Sequence, residues 1–287
     1  MKADKYATQV EDPKERIGEL VSILIPCFNA ERWIGQAIES ALAQTYSPTE
    51  IIVVDDGSTD RSLDIIKGFG QRIRWETGPN RGANATRNRL LALARAPWLQ
   101  YLDADDYLLP DKVERQMEFR AEHPDTDVVY SPISIVFEYH SEPGGRYILP
   151  IPAPHDPWTL LIRGDLPQTG GPLWRKTAIE AVGGWKDDRT CYTCEYQLYL
   201  RLLMAGRCFL YCPHVGAVYR QWSDDTLCRR DIPKLSRQLV EIIDRAEDWL
   251  ASHGELTYIR GRALDQVRAK MAQRRHGQSE TLDDIHP

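Results

Sequence analysis

The chain has 287 residues, of which 42% are hydrophobic and 27% charged, and its formal net charge is −6. This is the composition of a globular protein, long enough for one large domain or for one domain with an appendage. The acidic balance argues against nucleic acid as a partner, and no apolar run approaches the ~20 residues of a membrane span. Because residues 1–19 lack the apolar stretch of a signal peptide, a cytoplasmic location is predicted.

Short apolar segments alternate with helical patterns through the first 102 residues. Val21–Ile25 and Ile51–Val54 are apolar and rich in β-branched residues, and both predict buried strands. Apolar residues at helical spacing between them, over residues 34–42, predict a helix with one buried face. The alternation continues with a helix near 63–69, a short strand at 73–75, a helix at 83–94 and a strand at 98–102. This order is typical of an α/β protein with a mostly parallel sheet flanked by helices.

Three polar loops follow predicted strands of this sheet. They are Pro26–Asn29, Asp55–Ser58 and Asp103–Asp106. Crossovers between parallel strands are nearly always right-handed, so the carboxyl ends of the strands share one edge. Ligands bind in the crevice outside that edge. The sequence therefore predicts that the three loops form one site.

The third loop concentrates negative charge. Asp103, Asp105 and Asp106 repel one another unless a cation or hydrogen-bond donors neutralise them. Hard oxygen ligands suit Mg²⁺ or Mn²⁺, which proteins usually hold with one or two carboxylates and the substrate's phosphates. The alternative is a solvated acidic turn before a helix that begins near Pro110.

The first two loops carry side chains that could recognise a nucleobase. A carboxylate at Asp56 could accept a hydrogen bond from a base N–H, and the ring of Phe28 could stack on a base. The alternatives are a helix-capping or turn role for Asp55 and Asp56, and a core position for Phe28.

The second half of the chain is less regular. A strand is predicted at 127–130, a long functional loop at 141–157 and a helix after Glu195. Residues 208–211 predict another strand. An amphipathic helix begins at Ile232, and the residues from about 277 onward are predicted to be disordered. The basic segment 260–275 is interpreted either as a solvated helical tail or as a peripheral contact with an anionic membrane surface.

The six cysteines are predicted to be reduced thiols. Cys191, Cys194, Cys208 and Cys212 are numerous enough for a zinc site. Buried small hydrophobic positions are favoured instead, because the predicted strand holds Cys208 and Cys212 a full strand apart. His214 is interpreted as a packed or surface histidine, with a metal or phosphate contact as the alternative.

Four segments resemble the family 2 glycosyltransferases, which have the GT-A fold. They read VSILIPCFN at residues 21–29, IIVVDDGSTD at 51–60, NRGANATRN at 80–88 and YLDADDYLLP at 101–110. Each motif alone is weak. Their order and separations are those of the family, and together they cover the first two fifths of the chain.

The resemblance implies a role for each matching residue. Phe28 would stack on the base beside backbone contacts from Pro26, and Asp56 would read the base edge, which suits uracil. Arg87, or Arg81 in its place, would reach the nucleotide or its phosphates, with surface solvation as the alternative. The nucleotide-binding residues are thereby predicted to be Pro26, Phe28, Asn29, Asp56, Arg87, Asp103 and Ala104, and the metal ligands Asp105 and Asp103.

A fainter resemblance extends into the second half. Gly183–Trp185 is followed by Glu195 and then by Leu198–Arg201, which places Glu195 where the family has its catalytic base. The family's acidic neighbour is replaced by Cys194. Asp187 and Asp188 remain alternative bases, and a helix N-terminal carboxylate is the alternative role for Glu195.

The predicted protein is thus an inverting, metal-dependent glycosyltransferase that moves a sugar from a nucleotide-diphosphate donor, preferably a UDP-sugar, to a hydroxyl of a carbohydrate, glycan or glycolipid acceptor. Mn²⁺ or Mg²⁺ is the implied cofactor. A silent nucleotide-sugar-binding or scaffold protein and a sugar nucleotidyltransferase are the alternatives. The predicted boundaries are a polar extension at 1–19, a GT-A domain at 20–225 with halves at 20–110 and 111–225, and a helical C-terminal extension at 226–287.

Overall fold

The computed structural model describes residues 18–138, 145–189, 191–222 and 231–276. The predictions for most of the N-terminal extension, for residues 141–144, for Cys228 and for the residues after 276 lie outside these ranges. The strands are β1 (Val21–Cys27), β2 (Thr49–Asp55), β3 (Arg74–Thr77), β4 (Trp98–Tyr101), β5 (Tyr107–Leu108), β6 (Val128–Tyr130), β7 (Ile133–Phe137), β8 (Arg146–Leu149), β9 (Leu173–Arg175), β10 (Phe209–Tyr211) and β11 (Ala217–Gln221).

Helices cover both faces of the larger sheet and form the end of the described chain. They are α1 (Ile34–Leu42), α2 (Ser62–Gly68), α3 (Ala83–Leu93), α4 (Lys112–Ala121), α5 (Pro157–Arg163), α6 (Lys176–Ala181), α7 (Cys194–Met204), α8 (Ile232–Ser252) and α9 (Tyr258–His276). A 3₁₀ turn at Gly70–Arg72 precedes β3.

The larger sheet has seven strands in the order β10-β6-β9-β4-β1-β2-β3. The buried strand β1 lies between β2 and β4 and is parallel to both, with Ile23 opposite Ile51 and Leu24 opposite Tyr101. The short strand β9 is antiparallel to β4 and to β6. Since β1, β2 and β4 are parallel, the loops that follow them meet at one edge, as the sequence predicts.

A smaller sheet lies beside the third loop and has the order β5-β11-β7-β8. It places Arg220 and Gln221 of β11 opposite Val136 and Phe137 of β7. The prediction of a continuous loop over 141–157 was wrong for its described part, because β8 pairs with β7 in antiparallel register there.

Apolar side chains alternate between the two faces of the larger sheet. Leu24 and Ile52 belong to the core under α3, α5 and α7, whereas Ile23, Ile25 and Val53 belong to the core under α1, α2 and α4. The first of these cores also receives side chains from the last two helices, namely Ile242, Ile243, Ala246 and Leu250 of α8 and Ala263 and Leu264 of α9.

The two C-terminal helices are consequently packed against α5 and α7, which cover one face of the sheet. The amphipathic pattern predicts α8 correctly, and its apolar face is buried. Among the described helices, none combines the length and the apolar character that crossing a bilayer requires.

Candidate active site

A cleft of about 570 Å³ opens at the edge where β1, β2 and β4 end. All eight residues predicted from the family resemblance to bind nucleotide or metal line it. They are Pro26, Phe28, Asn29, Asp56, Arg87, Asp103, Ala104 and Asp105. Glu195 is not among the lining residues, although its neighbour Cys194 is.

The first two loops are fastened to each other by Asn29. Its backbone adopts a positive φ of 49°, a conformation that asparagine tolerates better than most residues. Asn29 Oδ1 accepts a hydrogen bond from the Thr59 N–H at 2.8 Å, and the Asn29 N–H donates to Ser58 Oγ at 2.9 Å. These bonds fix the loop that carries Phe28 against the loop that carries Asp56.

Asp56 organises the next loop along the cleft. Its Oδ1 accepts from the Arg81 N–H at 2.7 Å and its Oδ2 from the Gly82 N–H at 2.8 Å. Each carboxylate oxygen can accept a second hydrogen bond, so a ligand N–H can still be bound. The neighbouring Asp55 is buried and accepts from Thr77 Oγ1 at 2.7 Å, which agrees with its alternative role in the turn.

Phe28 is exposed in the cleft wall. Half of its surface (50%) is accessible to solvent, so the alternative of a core position was wrong. An exposed aromatic ring in a cleft can take up the face of a flat ligand. The apolar residue at the strand end therefore belongs to the site.

The acidic loop divides its three carboxylates between two environments. Asp103 Oδ1 accepts from Arg87 Nη2 at 2.8 Å, and Asp105 Oδ2 accepts from Trp222 Nε1 at 3.0 Å. Asp106 is buried, accepts from the Arg220 N–H at 2.8 Å and does not line the cleft. Burial, together with the charge of Asp103, raises the pKa of Asp105 above its ordinary value.

Two residues of the site were missed by sequence reasoning. Trp222 lines the cleft, and Arg220 lies buried beneath the acidic loop with its guanidinium carbon 4.1 Å from the ring centre of Trp33. The Arg220 guanidinium also donates to the backbone carbonyl of Asp105. Arg220 lies in β11 and Trp222 directly after it. The sequence did not predict this strand, because it is short, mixed in composition and paired with a strand far away in sequence.

One face of α3 contacts the backbone of residues 185–186, about a hundred residues further along the chain. Asn84, Arg87 and Asn88 are spaced i, i+3 and i+4, so they share a face. Asn84 Nδ2 donates to the Lys186 carbonyl at 2.7 Å, and Asn88 exchanges two 2.8 Å hydrogen bonds with the backbone of Trp185. This face of α3 therefore fixes the position of the turn that contains Gly183–Trp185.

Arg87 connects the acidic loop with the predicted base. Its Nη2 lies 2.8 Å from Asp103 Oδ1 and 3.8 Å from Glu195 Oε1. Burial alone would lower its pKa, but the charges of Asp103 and Glu195 raise it, so the guanidinium stays charged. Its contacts are with these carboxylates, while the predicted role at the nucleotide stays a prediction.

Glu195 stands at the start of α7. Its Oε1 accepts from Thr169 Oγ1 at 2.5 Å, and 22% of its side chain is exposed. The alternative bases Asp187 and Asp188 line the cleft. Thr169 fixes Oε1 of Glu195, and Oε2 has no side-chain hydrogen-bond partner within the described part of the chain.

The carboxylates fit a divalent cation in part. Asp103 and Asp105 supply hard oxygen donors. Burial and the charge of Asp103 raise the pKa of Asp105, and a bound cation would offset both effects. Within the described residues there is no group of three or more His, Cys, Asp or Glu side chains that could hold a metal ion. The pair therefore fits an Mg²⁺ or Mn²⁺ ion that takes its remaining ligands from substrate phosphates and water.

The other candidate ligands of the sequence lie in different surroundings. His214 Nε2 is 3.1 Å from Asp111 Oδ1 at the start of α4. Cys208 is exposed and Cys212 buried, and in the described part of the chain neither belongs to a metal-binding cluster with Cys191 and Cys194.

Two adjacent glycines test the contact between α3 and the Trp185 turn. Gly183 and Gly184 both have positive φ, at 79° and 69°. A Cβ on Gly184 would lie 2.6 Å from Asn88 Oδ1, whereas a Cβ on Gly183 would meet nothing within 4 Å. We expect Gly183→Ala to cost about 1 kcal/mol of unfolding free energy and Gly184→Ala about 2–3 kcal/mol, because only the latter also displaces Asn88. Urea denaturation measures both, and equal losses would contradict a structural role for Asn88.

Comparison with known proteins gives the family. The family model described as glycosyl transferase family 2 matches residues 22–160. An uncharacterized glycosyltransferase of Haemophilus influenzae is 40% identical over 104 residues, which are 35% of this chain and 42% of that protein. One of Rickettsia typhi is 31% identical over 64% of this chain and 58% of its own length. The hyaluronan synthase of Pasteurella multocida is 38% identical over 37% of this chain and 11% of the synthase.

The chain thus spans less than two thirds of the length of these relatives. Solved structures resemble it in fold. The mannosyltransferase PcManGT of Pyrobaculum calidifontis, in complex with GDP-Man and Mn²⁺, has a TM-score of 0.59 at 16% identity, covering 93% of this chain and 78% of that one. TarS 1–349 of S. aureus, in complex with UDP-GlcNAc, has a TM-score of 0.56 at 15% identity, covering 81% and 70%. By its motifs and its match to the family model, the segment 22–160 belongs to glycosyl transferase family 2, and the described chain has the GT-A fold.

Proposed function

We propose that this protein is an inverting glycosyltransferase that moves a sugar from a UDP-sugar to a hydroxyl group of a carbohydrate acceptor, and that it needs Mn²⁺ or Mg²⁺. The observation that carries the proposal is the position of Arg87. One guanidinium lies between Asp103 at the donor loop and Glu195 at the acceptor half. A transferase needs the donor's leaving group and the acceptor's base to face a common space, and this contact brings the two loops together.

The donor would bind in the cleft at the strand ends. The exposed ring of Phe28 would stack on the base, with Pro26 and Asn29 beside it. Asp56 would accept the N–H of uracil with its free lone pairs. Support for a UDP-sugar comes from relatives, since the TarS complex contains UDP-GlcNAc and a similar Escherichia coli enzyme is a UDP-Glc glucosyltransferase.

Two carboxylates would hold the metal. Asp105 would ligate it directly and Asp103 would support it, beside Ala104 and the ribose. When bound, the divalent cation would neutralise the negative charge that develops on the departing diphosphate. Arg87 keeps Asp103 in place through its 2.8 Å contact.

Glu195 would act as the general base. Thr169 holds its Oε1, so the carboxylate is oriented and Oε2 can receive the proton of the acceptor hydroxyl. The hydroxyl oxygen would then attack the anomeric carbon from the face opposite the diphosphate. The new bond forms as the old one breaks, which inverts the anomeric configuration and needs one base only.

The acceptor is proposed from the relatives, and a membrane contact from the basic residues of α9. A carbohydrate, glycan or glycolipid acceptor is supported by the names of the relatives. For the membrane contact, several basic residues of α9 are already paired, since Arg260 binds Asp156 at 2.9 Å and Arg268 binds Asp244 at 3.0 Å. Membrane contact through α9 and a cytoplasmic location therefore stay predictions.

A ligand panel tests the donor proposal. We expect UDP and one UDP-sugar, each with Mn²⁺, to raise the melting temperature more than the GDP and ADP counterparts. A ligand at 100 times its Kd adds about 2.7 kcal/mol to the unfolding free energy, which is a readily measured shift. Selective stabilisation by GDP-sugars would contradict the uracil assignment. The absence of any shift would favour a silent scaffold of the same fold.

A further inference from the structure

The wall of the cleft contains a pair of thiols that the proposed reaction does not use. Cys191 and Cys194 both line the cleft, and both residues are largely buried. Cys194 is the first residue of the 11-residue helix α7, and Cys191 precedes it by three positions. The Cys194 thiol donates to the Cys191 carbonyl at 3.1 Å, which folds the turn so that the two side chains are neighbours.

The two thiols differ in reactivity. A hydrogen bond from Cys194 lowers the pKa of the Cys191 thiol below its ordinary value. The same hydrogen bond, with burial, raises the pKa of Cys194. A thiolate is the reactive form of cysteine, so Cys191 is the nucleophile of the pair.

The remaining described cysteines provide an internal comparison. Burial raises the pKa of Cys27 to about 12, and it also raises the pKa values of Cys208 and Cys212. Among the cysteines that the structure describes, Cys191 alone is shifted towards the thiolate. Its neighbouring thiol, that of Cys194, stands in the same turn.

We propose that Cys191 and Cys194 form a reversible disulfide in the wall of the cleft, by exchange with a low-molecular-weight disulfide. The Cys191 thiolate attacks one sulfur of the small disulfide, whose S–S bond breaks and releases one thiolate that takes up a proton. Cys194 then loses its proton and attacks the sulfur of Cys191, releasing the second small thiolate. Two protein thiols are oxidised, and one small disulfide is reduced to two thiols.

The position of the pair links this exchange to the site. Asn84 Nδ2, which holds the Lys186 carbonyl, also contacts Cys194 Sγ at 3.2 Å. Because both thiols line the same cleft as Phe28 and Asp105, a nucleotide bound there should shield them. This shielding rests on the proposed function, whereas formation of the disulfide does not.

Mass spectrometry of the full chain tests the disulfide. The reduced protein is incubated with oxidised glutathione, its free thiols are alkylated, and it is digested with trypsin. Cleavage after Arg189 and Arg201 releases both cysteines in one peptide, residues 190–201. We expect this peptide to be unalkylated and two hydrogens lighter than its reduced form, and dithiothreitol to restore it.

Three variants make the test specific. Cys194→Ser should trap a glutathione adduct on Cys191, Cys191→Ser should react only slowly, and the matched control Cys208→Ser, at an exposed thiol, should behave as wild type. Full alkylation of residues 190–201 after the treatment would overturn the proposal. A disulfide from either cysteine to Cys27 or Cys212 would overturn it as well.

A second arm separates the disulfide from the proposed function. With Mn²⁺ present and UDP at ten times its Kd, about a tenth of the protein molecules have no nucleotide in the cleft. Oxidation of the two thiols should therefore slow about tenfold. If nucleotide binds but the rate of thiol oxidation does not change, the two thiols do not lie in the part of the cleft that the nucleotide covers. If no nucleotide binds, the proposed function fails, while the disulfide is still decided by the peptide masses.

Discussion

Glu195→Gln should bind the donor with unchanged affinity and lose transfer by about 10²–10⁴-fold, the usual contribution of a positioned general base. Glutamine has nearly the same shape, and its amide oxygen can still accept the 2.5 Å hydrogen bond from Thr169. It cannot take the proton of an acceptor hydroxyl. The measurement compares initial rates of nucleoside diphosphate release with donor affinity from thermal stabilisation.

Controls distinguish this loss from a disturbed fold. Thr169→Ser keeps the hydroxyl that orients Glu195 and should retain most of the activity. Asp187→Asn and Asp188→Asn change the two alternative bases, which line the cleft, and should each cost far less than Glu195→Gln. If Glu195→Gln turned over at a near wild-type rate, one of those two residues would be the base.

The sequence predicts the fold best over residues 21–102, where the pattern of neighbouring residues is enough to identify each strand and helix. β1 and β2 contain the apolar runs Ile23–Ile25 and Ile51–Val54, which are buried on both faces, and α1 carries apolar residues at helical spacing. The predicted GT-A fold is confirmed. The strands β5, β7, β8, β9 and β11 were missed because each has at most five residues and lies outside the regular strand–helix alternation of residues 21–102.

The candidate site shows the same division. Loops at strand ends can be placed from the order of the strands alone, which is why all eight predicted donor-site residues line one cleft. Trp222 could not be placed, because it reaches Asp105 only through the pairing of β11 with β7. The exposure of Phe28 depends on the turn that Asn29 forms, and a hydrophobicity pattern does not encode that turn.

A signal for the role of α3 was present in the sequence. Asn84, Arg87 and Asn88 stand at i, i+3 and i+4, and three polar residues on one helical face indicate a polar contact. Their partners, Trp185 and Glu195, lie about a hundred residues further along the chain. Spacing could therefore indicate the contact, whereas its partners required the tertiary structure.

The acidic loop predicts opposite stability effects for two aspartates that are two residues apart. Asp105→Asn should raise the unfolding free energy of the ligand-free protein at neutral pH by about 0.5–2 kcal/mol, the usual gain from a single stabilising substitution. Its melting temperature should rise accordingly. Asp103→Asn should lower the unfolding free energy by about 2 kcal/mol. It removes the negative charge closest to the Arg87 guanidinium, whose side chain is 8% exposed.

The sign for Asp105 follows from its environment. Burial, with the charge of Asp103, raises its pKa in the folded state, so the folded protein binds the proton more tightly than the unfolded chain does. The stability that this group contributes is present at low pH and is lost as the pH rises through the raised pKa. Asparagine carries no such cost, and it can still accept the hydrogen bond from Trp222. The advantage of Asp105→Asn should therefore shrink as the pH is lowered towards about 4.

Both variants should bind UDP less well in the presence of Mn²⁺, and this separates function from stability. For the wild type, Mn²⁺ should increase the stabilisation by UDP, and Asp105→Asn should remove that increase while melting higher without ligand. A carboxylate that binds a metal ion destabilises the ligand-free protein, because its charge is neutralised only when the ion is bound. An Asp105→Asn protein that melts lower than wild type, or that keeps the full effect of Mn²⁺ on UDP binding, would refute Asp105 as the metal ligand.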